Sequence, residues 1–348
     1  MAPWIVLRTP RLPVSFRLDA RLPVVFISLL LVTLAAMIVN MGVGEFKIAP
    51  LDVVRTLFGV DTGVPQHVFV VMNLRLPRML LAWLVGAALA VSGNIVQGVT
   101  RNPLASPDLT GVTAGASLAA VFFIVAVPGL PRALLPLMAF LGALAVAVLL
   151  YILAWRRGDS PMRFILVGIG LQATLSAVIG FQLTFGRIDL VTQAMMWLAG
   201  TVYATTWAEV NAVLPWIGIG LLVALVLARH LNALNLGEEV ARGLGTPVTR
   251  QRAILLLVAV ALAGVTVTVA GTVGFVGLVA PHLARRLVGP MHEGSQVVAA
   301  LVGGALVIVS DLIGRTVIAP AEIPCGIIIS LLGAPFFLYL IWKNRERF

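Results

Sequence analysis

Charge is what this chain has least of. Asp, Glu, Lys and Arg make up 11% of its 348 residues, against about 25% in an ordinary soluble domain. It has one cysteine, Cys325, so no internal disulfide can form. No segment reads G-x-x-x-x-G-K-S/T, which excludes the phosphate-cradling loop of a nucleotide hydrolase. The four histidines, His67, His230, His282 and His292, are scattered, so no metal site is expected. No apolar run carries a central carboxylate relay. Asp311 comes nearest and falls at the end of a run, whereas an ion-coupled carrier working alone would bury such a group. A membrane-embedded enzyme would need a nucleophile–base or metal constellation, and none is apparent. These absences place the energy source on another subunit.

What the chain has instead is apolar length. Hydrophobic residues make up 60% of it, in continuous runs. A soluble core of this size cannot hide so much apolar surface, and unalternated runs exclude a β-barrel. The expected class is an all-α polytopic membrane protein, a single transmembrane domain over 1–348. About ten spans are expected, near 24–43, 78–99, 111–127, 133–155, 164–185, 209–228, 250–271, 274–288, 296–311 and 324–342. The runs at 274–288 and 296–311 are short for a bilayer core of about 30 Å. Cys325, in an apolar stretch, reads as a small packing residue.

The net charge of +10 does not point to nucleic acid, because the basic residues sit in the gaps between apolar runs. With both termini inside, 17 of the 24 Lys and Arg residues fall inside and 7 outside. That bias favours this orientation. Segment 1–23 is then a cytoplasmic N-terminus, with no clear cleavage site after the first run. Segment 229–250 is cytoplasmic as well. Two outer stretches fit no span. Leu190–Tyr203 reads as an interfacial or re-entrant helix with Trp197 and Trp207 at headgroup level, and Asp311–Pro324 as a short outer helix.

An internal repeat at half the chain length is visible. Ala88-Leu-Ala90 recurs as Ala261-Leu-Ala263, Gly98 as Gly271, and Leu104-Ala-Ser-Pro-Asp-Leu109 as Leu278-Val-Ala-Pro-His-Leu283. Opposite directions of the second and seventh spans would make this an inverted repeat, suited to alternating access. Chance matching of abundant Ala, Leu and Gly is the bland alternative.

Three groups of residues stand out. Arg75, Arg78 and Arg315 gather near the expected outer face, either to meet an anionic solute or acidic protein, or to anchor helix ends by snorkelling. Asn235–Gly245 reads as a short amphipathic helix with Leu236, Val240 and Leu244 on one face, Glu238 and Glu239 in its first turn, and Gly243 or Gly245 to end it. It seats in a partner or lies on the interface alone. Asn94 and Gln97, inside the second span, either touch a translocation path or bond a neighbouring helix. The Asn102-Pro103 and Ser106-Pro107 pairs break the helix after Val99.

Three blocks of residues carry a family resemblance along nearly the whole chain. The first is Arg75-Leu-Pro-Arg78 through Gly86-Ala-Ala-Leu-Ala90, Ser92-Gly93, Gln97 and Arg101-Asn-Pro-Leu-Ala-Ser-Pro107. The second is Leu236-Gly-Glu-Glu239 through Arg242-Gly-Leu-Gly245. The third is Gly274-Phe-Val-Gly-Leu-Val-Ala-Pro-His282, Asp311 to Arg315, Glu322-Ile-Pro324 and Gly333-Ala-Pro-Phe336.

With these blocks the chain resembles the permease subunits of type II ABC importers for iron–siderophore complexes, haem and cobalamin. The resemblance implies a ten-span fold and a second permease, identical or paralogous. It also implies two ATPase subunits that hold ATP and Mg²⁺, and a periplasmic binding protein, with no cofactor on the permease itself. By position, Arg75, Arg78 and Arg315 resemble arginines that meet the binding protein. Leu236, Gly237, Glu238, Glu239, Arg242 and Gly245 resemble a coupling segment seated in the ATPase. Asn94, Gln97, Asn102 and Pro103 lie on the span whose relatives line the path. A ferric siderophore is the expected cargo, with cobalamin or haem as alternatives.

Overall fold

A computed structural model describes residues 4–8, 15–154 and 161–343. The predicted positions of Arg11, Arg156, Arg157, Arg345 and Arg347 lie outside these. A two-stranded hairpin, β1 (Trp4–Arg8) and β2 (Ser15–Asp19), leads into α1 (Leu22–Gly42), opened by Pro23 in its first turn. α2 (Pro50–Leu57) and α3 (Gln66–Val68) follow. α3 runs through a π-helical stretch, Phe69–Arg75, into α4 (Leu76–Thr100). A 3-10 turn (Pro107–Thr110) then precedes α5 (Val112–Ala126), α6 (Leu135–Ala154) and α7 (Pro161–Phe185). Next come α8 (Ile188–Leu198), α9 (Trp207–Val226), α10 (Ala228–Asn235) and α11 (Glu238–Gly243). The chain closes with α12 (Val248–Ala270), α13 (Val276–Val288), α14 (His292–Thr316) and α15 (Cys325–Lys343).

Each of the ten apolar segments expected from the sequence coincides with a helix. Among the described residues, seven helical runs are long and apolar enough to cross a membrane: α1, α3–α4, α6, α7, α9, α12 and α14. α5 and α13 are shorter, at 15 and 13 residues.

Two expectations need correction. The ninth segment is not short, because α14 has 25 residues. Its polar first turn reads as loop in one dimension but finds hydrogen-bond partners in three. The outer helix expected at Asp311–Pro324 does not exist as such. Residues Asp311–Thr316 complete α14, and a turn and an irregular stretch then run to Cys325. Leu190–Tyr203 does hold a helix, α8, and Trp207 donates its indole N–H to the Met72 carbonyl (2.9 Å) in the π-helical stretch.

The repeat survives only in part. Both α4 and α12 are long helices, but 104–109 is a turn and 3-10 stretch while 278–283 lies inside α13. The motif match at constant offset therefore sets loop against helix.

α4 forms the axis of the bundle, nearly all of its residues buried, while few residues of the apolar stretches of α1 and α7 are. Within a bilayer, lipid is as apolar as leucine, so helices associate by close packing of small residues. Three glycine pairs do this here. A Cβ on Gly93 of α4 would stand 1.8 Å from the Gly277 carbonyl oxygen of α13. A Cβ on Gly303 of α14 would stand 2.3 Å from that of Gly86 on α4, and one on Gly142 of α6 at 2.3 Å from that of Gly115 on α5. Cys325, 2% exposed, packs at the start of α15 with its thiol 3.6 Å from the Gly200 carbonyl oxygen.

Candidate functional site

The three arginines singled out from the sequence converge at one end of the bundle. Asp311, on the last turns of α14, is the centre of their network. Its Oδ1 accepts from Arg78 Nη2 (2.7 Å) and Nε (3.1 Å), and its Oδ2 from Asn40 Nδ2 (3.3 Å). Arg78 also reaches Glu322 with both terminal nitrogens (2.8 and 3.3 Å), and its guanidinium lies 5.6 Å from the Tyr203 ring centre. Arg315 donates to Asn40 Oδ1 (2.8 Å) and the Val43 carbonyl (2.6 Å), with Glu322 at 3.8 Å. Arg75 is held by the carbonyls of Met41 and Phe46. Gly44 lies between two guanidiniums. A Cβ there would be 2.8 Å from Arg75 Nη2 and 2.9 Å from Arg315 Nη2.

All three guanidiniums are bound to internal acceptors. The Arg78 and Asp311 side chains are 11% and 3% exposed. Such pairs persist in a low dielectric only when every lone pair finds a donor, and here Asn40 supplies the missing one. Asn40, buried within α1, is a member of this site that the sequence reading missed. Its one signal was a lone amide in an otherwise apolar run.

Arg75, Arg78 and Arg315 line a cavity of about 1540 Å³ at this end, together with Lys47, Arg132 and Glu322. Trp197 and Tyr203 contribute aromatic wall. The volume exceeds the 300–1,000 Å³ or so of ordinary small-molecule pockets.

At the opposite end, Asn94 and Gln97 of α4 are buried, and both face Arg285 of α13. Arg285 donates to Asn94 Oδ1 (3.2 Å) and to Gln97 Oε1. Asn94 Nδ2 donates to Ser295 of α14 (3.3 Å) and Gln97 Nε2 to the Gly277 carbonyl (3.2 Å). These contacts favour the helix-tying alternative over a path lining. Asn102 and Pro103 are exposed in the turn after α4, where Asn102 Oδ1 accepts the Leu104 N–H (2.9 Å). None of the four lines the large cavity.

The short helix expected at 235–245 is narrower in the structure: Asn235 ends α10, and α11 covers only Glu238–Gly243, bordered by Gly237 (φ +110°) and Gly245 (φ +79°). Leu236, Val240 and Leu244 are 63%, 50% and 65% exposed, an apolar ridge open to whatever covers it. The two glutamates divide their roles. Glu238 bonds Arg242 one turn on and the buried Arg252 of α12 (3.3 Å), which fastens the helix to the bundle. Glu239 stays exposed.

Known proteins agree with this geometry. Residues 30–343 match the FecCD transport family. The chain is 45% identical over 313 residues to the iron(3+)-hydroxamate import system permease protein FhuG of Bacillus subtilis (strain 168), covering 88% of this chain and 92% of that protein. It is 45% identical over 322 residues to the achromobactin transport system permease protein CbrC of Dickeya dadantii (strain 3937), covering 91% and 90%. Its fold superposes with a TM-score of 0.83, at 28% identity, on an inward-facing metal-chelate type ABC transporter, covering 92% of this chain and 99% of that one. A membrane bundle with a wide cavity at one end, an exposed apolar ridge at the other and no nucleotide loop of its own thus meets a match over nearly its whole length, and the chain belongs to the FecCD transport family.

Proposed function

We propose that this chain is the permease through which an ATP-driven importer carries a ferric siderophore complex into the cytoplasm. The carrying observation is the pairing of a cavity of about 1540 Å³ at the arginine end with an exposed apolar helix at the other. A permease that works between two partners needs a receiving surface on each side. The names of its hydroxamate and achromobactin relatives support an iron chelate as cargo.

In this reading the arginine end faces outward, and both termini and α11 lie in the cytoplasm. The Leu236–Gly245 segment seats in a groove of one of two ATPase subunits, and a second permease, identical or paralogous, completes the path. A periplasmic binding protein docks at the arginine mouth. Arg78 and Arg315 receive its acidic groups by exchanging Glu322, 30% exposed, for a partner carboxylate. ATP moves the permease only if it binds one arrangement of the complex better than the other.

Reconstitution with the ATPase and binding protein tests the function. Uptake of a ferric siderophore should need ATP and survive collapse of the proton gradient, and uptake without ATP would reject it. Docking through the arginines should weaken between low and high salt, because the attraction between the two approaching faces is screened to a range of about 3 Å at 1 M. A binding-protein affinity that ignores salt would discard that part.

A further inference from the structure

α14 spans the whole bundle and lacks a cap of its own. The residue before it, Met291, makes no side-chain bond to its first turn. The first N–H groups of a helix have no partner within it, so an uncapped start needs one from elsewhere. Here it comes from α10. Asn232 Oδ1 accepts the His292 backbone N–H (2.9 Å), and Asn232 Nδ2 donates to Glu293 Oε2 (2.6 Å). One turn on, Asn235 Nδ2 donates to His292 Nε2 (2.7 Å). Two side chains of α10 thus grip the first two residues of α14.

Packing closes the grip independently. Gly98 of α4 leaves room for Leu231 of α10 and His292 of α14. A Cβ there would stand 2.8 Å from Leu231 Cδ1 and 2.9 Å from His292 Cε1. α10 runs directly into α11, separated by Leu236 and Gly237. Along α14, Ser295 bonds Asn94, Gly303 crosses Gly86 at backbone distance, and Asp311 and Arg315 build the arginine network at the far end. At 1.5 Å per residue the helix reaches about 37 Å, one rigid rod between both ends.

We infer that Asn232 and Asn235 form a clasp through which a displacement of α11 is passed to α14, and so to the Asp311–Arg78 network at the opposite end. This rests on the reading of α11 as the seat of the ATPase. Asn232 and Asn235 are positioning residues: they touch neither cargo nor nucleotide, and they convert motion of the α10–α11 segment into motion of α14.

The test uses the reconstituted complex of permease, ATPase and binding protein, with the ratio of ATP hydrolysed to cargo moved as readout. Asn232→Asp keeps the acceptor for the His292 N–H and sets a carboxylate against Glu293. It should raise the ratio by about fivefold or more, the size of a typical coupling between sites. Asn232→Asp with Glu293→Gln restores a donor–acceptor pair in reverse and should bring the ratio back. ATPase capture in a pull-down should be the same for all three proteins.

An unchanged ratio in Asn232→Asp overturns the clasp. So does a raised ratio that the double variant fails to restore, or a loss of ATPase capture in Asn232→Asp, which would make the asparagine a prop for α10. The seat itself is probed separately by Val240→Asp on the exposed ridge. Lost capture in Val240→Asp with an unchanged ratio in Asn232→Asp keeps the seat and overturns the clasp, whereas normal capture in Val240→Asp overturns the seat and the clasp with it.

Discussion

Asp311 shows how much one residue can hold. Three hydrogen bonds, two from Arg78 of α4 and one from Asn40 of α1, converge on its carboxylate, and Arg315 of α14 bonds Asn40 in turn. Removing one partner of a buried ion pair leaves the other charge unmatched, at a cost of about 3–5 kcal/mol. Asp311→Ala should therefore lower the melting temperature of the detergent-solubilised protein markedly. Arg187→Ala breaks an exposed pair with Asp189, which is worth about 0–1 kcal/mol, and should leave the melting temperature nearly unchanged. Equal losses in the two variants would remove Asp311 from its central place. The arginines of this cluster were legible in the sequence as charges beside an apolar run, but their partners were not. Asn40 lies 271 positions from Asp311, and nothing in a lone amide says which helix it will meet.

At the scale of elements, legibility followed local chemistry. α11 could be read because its signals are local: glutamates in the first turn, Leu236, Val240 and Leu244 four positions apart in and beside it, glycines at its borders. The start of α14 could not, because the partner that makes a helical His292 and Glu293 affordable is Asn232, 60 residues upstream. The π-helical stretch Phe69–Arg75 was equally hidden, since its residues suit an α-helix. The exposed ridge of α11 yields a prediction of its own. Val240→Asp should leave the melting temperature unchanged, the residue being 50% exposed. It should weaken capture of the ATPase by about tenfold or more, as a charge placed in a docked apolar contact does. Unaltered capture would deprive the ridge of its partner.

For the whole molecule, the places and order of the apolar helical segments were legible and their arrangement was not. The helix that forms the axis, α4, is less apolar than α1 at the periphery. A helix facing lipid must be apolar all round, whereas one enclosed by others can carry Ser92, Asn94 and Gln97 if each finds a partner. Hydropathy therefore finds spans and is silent about which one lies inside. The seclusion of Cys325 bears on the question of sides. Its sulfur is shut between α15 and the turn at Gly200, so water meets no native thiol among the described residues. A cysteine introduced at the exposed Asp61, or at Gly243 where there is open space, would be the one handle an impermeant maleimide could grasp. In sealed cells Asp61→Cys should react at once and Gly243→Cys only after the membrane is breached; the reverse order would turn the proposed orientation over. The protein is in effect its own blank slate for thiol chemistry, and reporters set on the ridge and at the cavity mouth could follow both ends of the rod through a single transport cycle.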